Sequence, residues 1–162
     1  MGFSGRSSYD LCGKCNFYHS KYQACIAKDY KYAHMFKKWF HSGGMQKTRT
    51  LYGIDKVNQT DKIAITEGPS CVWRLSEHDI PAGAVLGKKF SREQAAILAR
   101  RKITKVFLLS DQDEGGAEFK KSFIKDWAST FKTYVTTLPK KDVTDMNEKE
   151  IEEFIIKKWD KI

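Results

Sequence analysis

The sequence predicts an α/β fold: a mainly parallel four-stranded sheet flanked by helices, preceded by a basic, aromatic-rich arm. Three observations carry this prediction. From residue 62 onward, short β-rich apolar runs alternate with amphipathic helical stretches, the pattern of successive βαβ units. The helical stretches carry their own start signals. Residues 1–60 differ in kind, holding ten Lys/Arg against three Asp/Glu and a dense run of aromatics.

Taken in order, KIAIT (62–66) reads as the first strand. EGPSCVWRLSEH (67–78) follows as a turn and a helix, with Pro69 near its first position, where no intrahelical N–H is required. AGAVLG (82–87) is the second strand, closed by Gly87. In SREQAAILARR (91–101), Ser91 and Gln94 form a capping box. KVFLLS (105–110) is the third strand. After Gly116, the residues Phe119, Phe123, Trp127 and Phe131 recur at i, i+4 and predict a strongly amphipathic helix. TYVTTL (133–138) is the fourth strand. DMNEKEIEEFIIKKW (145–159) is the last helix, with Asp145 as N-cap, Glu148 at N3, and Ile151, Phe154, Ile155 and Lys158 on its inner side.

The bulk numbers limit the function classes. With 162 residues and 41% hydrophobic content, the chain can bury a core as a soluble domain, here divided into an arm over 1–42 and a main domain over 43–162. It holds no apolar run long enough to span a membrane. The start, MGFSGRSSYD, lacks the apolar core of a signal peptide, so a cytoplasmic location is expected. In that compartment the four cysteines read as thiols or metal ligands rather than disulfides. A net charge of +9, concentrated in the arm, fits either a phosphate-binding surface or a basic face that keeps the protein in solution.

In parallel sheets, ligands gather at the carboxyl ends of the strands. Glu67 follows the first strand, Gly87 and Lys88 the second, Asp111 and Asp113 the third, and Asp142 the fourth. The loop SDQDEGG therefore reads either as a metal site or as solvated carboxylates capping a helix. A hard ion such as Mg²⁺ takes one or two carboxylates plus waters and substrate phosphates, which Asp111 and Asp113 can supply. Glu67 is a candidate ligand or general acid/base. Lys88, Lys89 and Arg92, with Lys47 and Arg49 ahead of the first strand, are the candidate nucleic-acid contacts. In the arm, Cys12, Cys15, His19 and Cys25 offer a tetrahedral zinc site, the other reading being buried thiols and a surface histidine. Cys71 reads as a small buried hydrophobe in the first helix.

Four motifs, each after an expected strand, resemble a Toprim domain of the bacterial-type DNA primase and phage helicase-primase family. They are Glu-Gly (Glu67, Gly68), Leu-Gly (Leu86, Gly87), Asp-x-Asp-x-x-Gly (Asp111, Asp113, Gly116) and Lys-Asp-x-x-Asp (Lys141, Asp142, Asp145). The likeness covers roughly 43–150, and the lead-in FHSGGMQKTRTLYGIDK also resembles the entry to this domain in primases. It implies a Mg²⁺- or Mn²⁺-dependent nucleotidyltransferase using single-stranded DNA and nucleoside triphosphates. Glu67 is then the general acid/base and one of the metal ligands, Asp111 and Asp113 hold the metal, and Asp142 shapes a second ion or nucleotide site. A helicase or a second primase subunit is the implied partner, and a bacterial or phage-infected cell the implied setting. A small Toprim nuclease and a non-catalytic nucleic-acid-binding protein are the alternatives. The family's usual Asp four residues after the Glu is Cys71 here, leaving the site one carboxylate poorer.

Overall fold

The computed structural model describes residues 45–162 together with two short strands, β1 (Tyr9–Leu11) and β2 (Tyr18–Ser20). The chain separates into two compact units, Met1–Met45 and Gln46–Ile162. In the first unit, β1 and β2 pair antiparallel with Asp10 opposite His19. Of the candidate zinc ligands, Cys12, Cys15 and Cys25 lie outside the described residues.

The second unit is the α/β domain. Its strands are β3 (Lys62–Thr66), β4 (Ala82–Ala84), β5 (Lys105–Leu108) and β6 (Lys132–Val135), ordered β4-β3-β5-β6 and all parallel. The central strands are buried on both faces, as their unbroken apolar sequences require. Helices α1 (Pro69–Ser76), α2 (Arg92–Arg100) and α3 (Glu114–Trp127) make the crossovers. The outer edge of β4 is covered by an antiparallel bridge to Tyr52, whose N–H and C=O each bond Ala84 at 3.0 Å.

Alternation along the strands sorts the core into two layers. Ile63, Ile65, Val106 and Leu108 pack with Ala95 and Leu98 of α2, Phe119 and Phe123 of α3, and the flanking Phe90 and Phe131. Phe90 is the hub of the aromatics, 5.1 Å from Phe123 and 5.7 Å from Trp127 between ring centres. On the opposite face Phe107 meets Trp159 at 6.3 Å. Trp159 ends a continuous helical segment: α4 (Glu148–Ile151), a π-helical turn (Glu152–Ile156) and α5 (Lys157–Trp159).

Several boundaries differ from the expected ones. β4 stops at Ala84 because Leu86 turns into the left-handed region, at φ 58°. α3 begins at Glu114 rather than after Gly116, since Asp113 caps it. The last helix is capped by Asn147, not Asp145. Asn147 and Glu150 form the capping box at 3.0 and 2.9 Å, while Asp145 closes a 3₁₀ turn (Val143–Asp145) and Met146 is extended. Both tetrapeptides fit the capping pattern. The earlier one loses because Asp142 caps Thr144 and starts the 3₁₀ turn first. The π turn also shifts the inner face to Ile151, Ile155 and Trp159, leaving Lys158 exposed and bonded to Thr136 Oγ1.

Candidate active site at the carboxyl edge of the sheet

The strand order creates the site. From β3 the chain steps outward to β4, and from β5 it steps the other way to β6. The loops leaving the neighbouring strands β3 and β5 therefore diverge, and a crevice opens between their carboxyl ends. Glu67 is the first residue past β3, and Asp111 lies three past β5. The two meet there, with Asp111 N–H donating to Glu67 Oε1 at 3.1 Å.

Gly116 sets the shape of the loop that carries Asp111. A Cβ at this position would lie 2.0 Å from Asp111 O and 2.7 Å from its carbonyl carbon, so only glycine lets α3 start against that backbone. Asp113 N-caps α3, its Oδ1 accepting from Gly116 N–H at 3.0 Å, and its carboxylate is exposed. Asp142 arrives from the loop after β6 and caps its own turn, Oδ1 accepting from Thr144 N–H at 2.7 Å. A backbone bond of 2.6 Å from Gln112 N–H to Lys141 O ties the two acidic loops together.

Among the described residues, one group of side chains converges as metal ligands do. A carboxylate oxygen of Asp111, one of Asp142 and Sγ of Cys71 all lie within 4.8 Å of one another. Asp111 and Asp142 are half-buried, while Cys71, in the first turn of α1, is buried. The two carboxylates suit a divalent cation, and the sulfur is a donor that Mg²⁺ does not favour. Of the expected ligands, the structure thus joins Asp111 to Asp142, links Glu67 to Asp111 through the backbone, and sets Asp113 at the helix cap. Cys71, which stands where the family usually has an Asp, is the third member of this group. Its four-residue spacing from Glu67, across the β3–α1 junction, brings it to the crevice.

Burial raises the pKa of Glu67 above the ordinary glutamate value, and the negative charges of Asp111 and Asp113 push the same way against the stabilising Asp111 N–H. Along the flank, a 3₁₀ turn (Lys47–Arg49) docks on the start of α2. The buried Gln94 side chain holds it, donating to Lys47 O (3.1 Å), Thr50 O (2.7 Å) and Val85 O (3.1 Å), and the Ser91 hydroxyl donates to Thr48 O. Lys47, Arg49 and Arg92 thereby share one end of α2, with Lys88 and Lys89 in the loop leading to it. All five are exposed, and none forms an ion pair among the described residues.

Crevice, acidic loop and strand order together define a class. The Toprim-like family matches residues 65–149, more than half of the chain, and this chain belongs to it. The match takes in Glu67, Cys71, Asp111, Asp113 and Asp142. Among solved structures, the primase fragment of the bacteriophage T7 primase-helicase protein has a similar fold, with a TM-score of 0.51 and 22% identity. The likeness covers 69% of this chain and 51% of that fragment, so it spans about half of the fragment's length. No curated protein sequence matches the chain. Among the described residues, no helix is long and apolar enough to cross a membrane.

Proposed function

We propose that this chain is the Toprim part of a primase-like nucleotidyltransferase that extends primers from nucleoside triphosphates on single-stranded DNA. The observation that carries the reading is the meeting of Glu67 and Asp111 at the β3–β5 crevice, with Asp142 beside them. Membership of the Toprim-like family and a fold similar to a primase fragment support it. A helicase is the expected partner, because that fragment comes from a primase-helicase protein.

Glu67 is the general base. The Asp111 N–H fixes its Oε1, and its raised pKa brings it closer to the working pH, where a base is ionised yet accepts a proton readily. It takes the proton of the attacking hydroxyl as that oxygen bonds to the α-phosphorus and pyrophosphate departs in line. Asp111 and Asp142, with the open oxygen of Asp113, would hold a divalent ion. When bound, that ion neutralises charge on the phosphoryl oxygens. Lys88, Lys89, Arg92, Lys47 and Arg49 track the phosphate backbone, so binding weakens as salt is raised.

The test incubates the full chain with single-stranded DNA, nucleoside triphosphates and Mg²⁺ or Mn²⁺, and resolves the products by length. New short primers are expected, reduced about 10²- to 10⁴-fold by Glu67→Gln. Shortened template in place of primers reassigns the chain to the nucleases, with Glu67 taking a proton from water. Products undiminished in Glu67→Gln refute the base assignment.

A further inference from the structure

We infer that the cation site of this chain is a mixed thiolate–carboxylate site formed by Cys71, Asp111 and Asp142, which takes Co²⁺ or Zn²⁺, and to a lesser degree Mn²⁺, in preference to the less thiophilic Mg²⁺. The inference rests on the reading of the crevice as a metal-dependent phosphoryl-transfer site.

Three facts about the site support it. The first is spacing. Two ligands on one ion stand at most the sum of their bond lengths apart, roughly 4.4 Å for sulfur and oxygen on a zinc-sized ion. Cys71 Sγ and the two carboxylate oxygens lie within 4.8 Å of each other, a small side-chain adjustment from chelation. The second is that the spacing is set by the fold. Asp111 is seated by its N–H bond to Glu67 and by Gly116 against its backbone, and Gln112 N–H binds Lys141 O beside Asp142. Asp142 spends only Oδ1 on its turn, which leaves its second oxygen for an ion.

The third fact is donor chemistry. Cys71 lies in the first turn of α1, with its side chain in the space shared by the two acidic loops. A thiolate is a soft ligand that raises affinity along the series toward cobalt and zinc, whereas Mg²⁺ demands oxygen in a near-octahedral shell. Binding releases the thiol proton to solvent, as for any cysteine ligand.

The experiment reads binding with nucleic acid and nucleotides absent, which separates it from the test of primer synthesis. Titrating the full chain with Co²⁺ is expected to produce a near-ultraviolet thiolate-to-cobalt charge-transfer band. Cys71→Ser should remove the part of that band due to this site. Asp111→Asn, which keeps the thiol and changes a half-exposed group, should shift or weaken it. By calorimetry, Cys71→Asp should move the Mn²⁺-over-Mg²⁺ preference toward Mg²⁺ by at least about tenfold. A cobalt spectrum indifferent to Cys71→Ser and Asp111→Asn overturns the inference, as does an unchanged Mn²⁺/Mg²⁺ ratio in Cys71→Asp. A chain that shows the band and the shifted ratio but makes no primers keeps this site and loses only the polymerising assignment. A chain that binds none of these ions at the crevice overturns both.

Discussion

On one face of the sheet, Phe90, Phe119, Phe123 and Phe131 close with Leu98, Ile63 and Val106 into a continuous apolar layer. On the other, α1 is fastened to the C-terminal segment in part by charge: Arg74 reaches Glu148 and Met146 O, and His78 lies 3.5 Å from Glu148. The contrast separates two tasks. The aromatic face makes the sheet stable, because each ring there removes a large area from water. Cys71 and Asp142 come from α1 and the loop after β6, where buried apolar residues (Leu75, Val143) are joined by partly exposed polar links from Arg74 and His78 to Glu148. Such links fix position more than they add stability.

The largest effect should come from the aromatic face. Phe123→Ala, which empties a fully buried site, is expected to cost about 3–5 kcal/mol in denaturant titration at unchanged m-value. A loss no greater than that of a surface change would mean the layer is not a packed core. Next is the junction between the two tasks. Gly116→Ala forces a methyl against Asp111 O and should cost about 1–3 kcal/mol of overpacking. Its effect on metal binding and activity should exceed its effect on stability, since the displaced backbone is the one that holds Glu67; equal losses of both would argue that the loop has no special geometry.

The third prediction concerns pH. Because the folded-state pKa of Glu67 is raised, the fold favours its protonated form. That contribution is whole below the unfolded glutamate pKa of about 4.3 and is lost as pH rises through the higher folded value. Glu67→Gln keeps an acceptor for Asp111 N–H and removes the buried charge. In metal-free buffer it should raise the thermal midpoint at neutral pH and leave it nearly unchanged at pH 4, the reverse of its effect on activity. A midpoint shift that is the same at both pH values would break the assignment. Smallest of all, Arg74→Ala should leave the midpoint in high salt almost where it was, because Glu77 and Glu148 are exposed.

Much of this arrangement can be read from the chain, for a physical reason. The strands are short apolar runs and the helices carry local caps, so Pro69, Ser91 with Gln94, and the Phe119/Phe123 spacing each announce an element from nearest neighbours alone. The misplacements have the opposite origin. Asp145 and Asn147 both present a valid capping pattern, and only the 3₁₀ turn started by Asp142 decides between them. The π turn that rotates Lys158 outward has no local signature. Cys71 is the small buried residue of α1 that its sequence predicts, but its approach to two carboxylates is not legible locally, because they come from loops after two other strands. The docking of Lys47 and Arg49 through Gln94 was hidden for the same reason, since one side chain serves three carbonyls far apart in sequence.

The bond between Asp111 and Glu67 joins positions 44 residues apart. The hairpin-free, parallel ladder beneath it must therefore close the longest loop in the sheet's centre before the two carboxylates share a crevice. Pairings of that kind are slow, because the entropy of the intervening chain is surrendered before the contacts repay it. A chain still threading through the ribosome, or trapped with β3, α1 and β4 assembled alone, holds Glu67 and Cys71 but lacks both aspartates. Half-made copies of this protein thus lack the Glu67–Asp111 pairing, which exists only in molecules whose central ladder is complete.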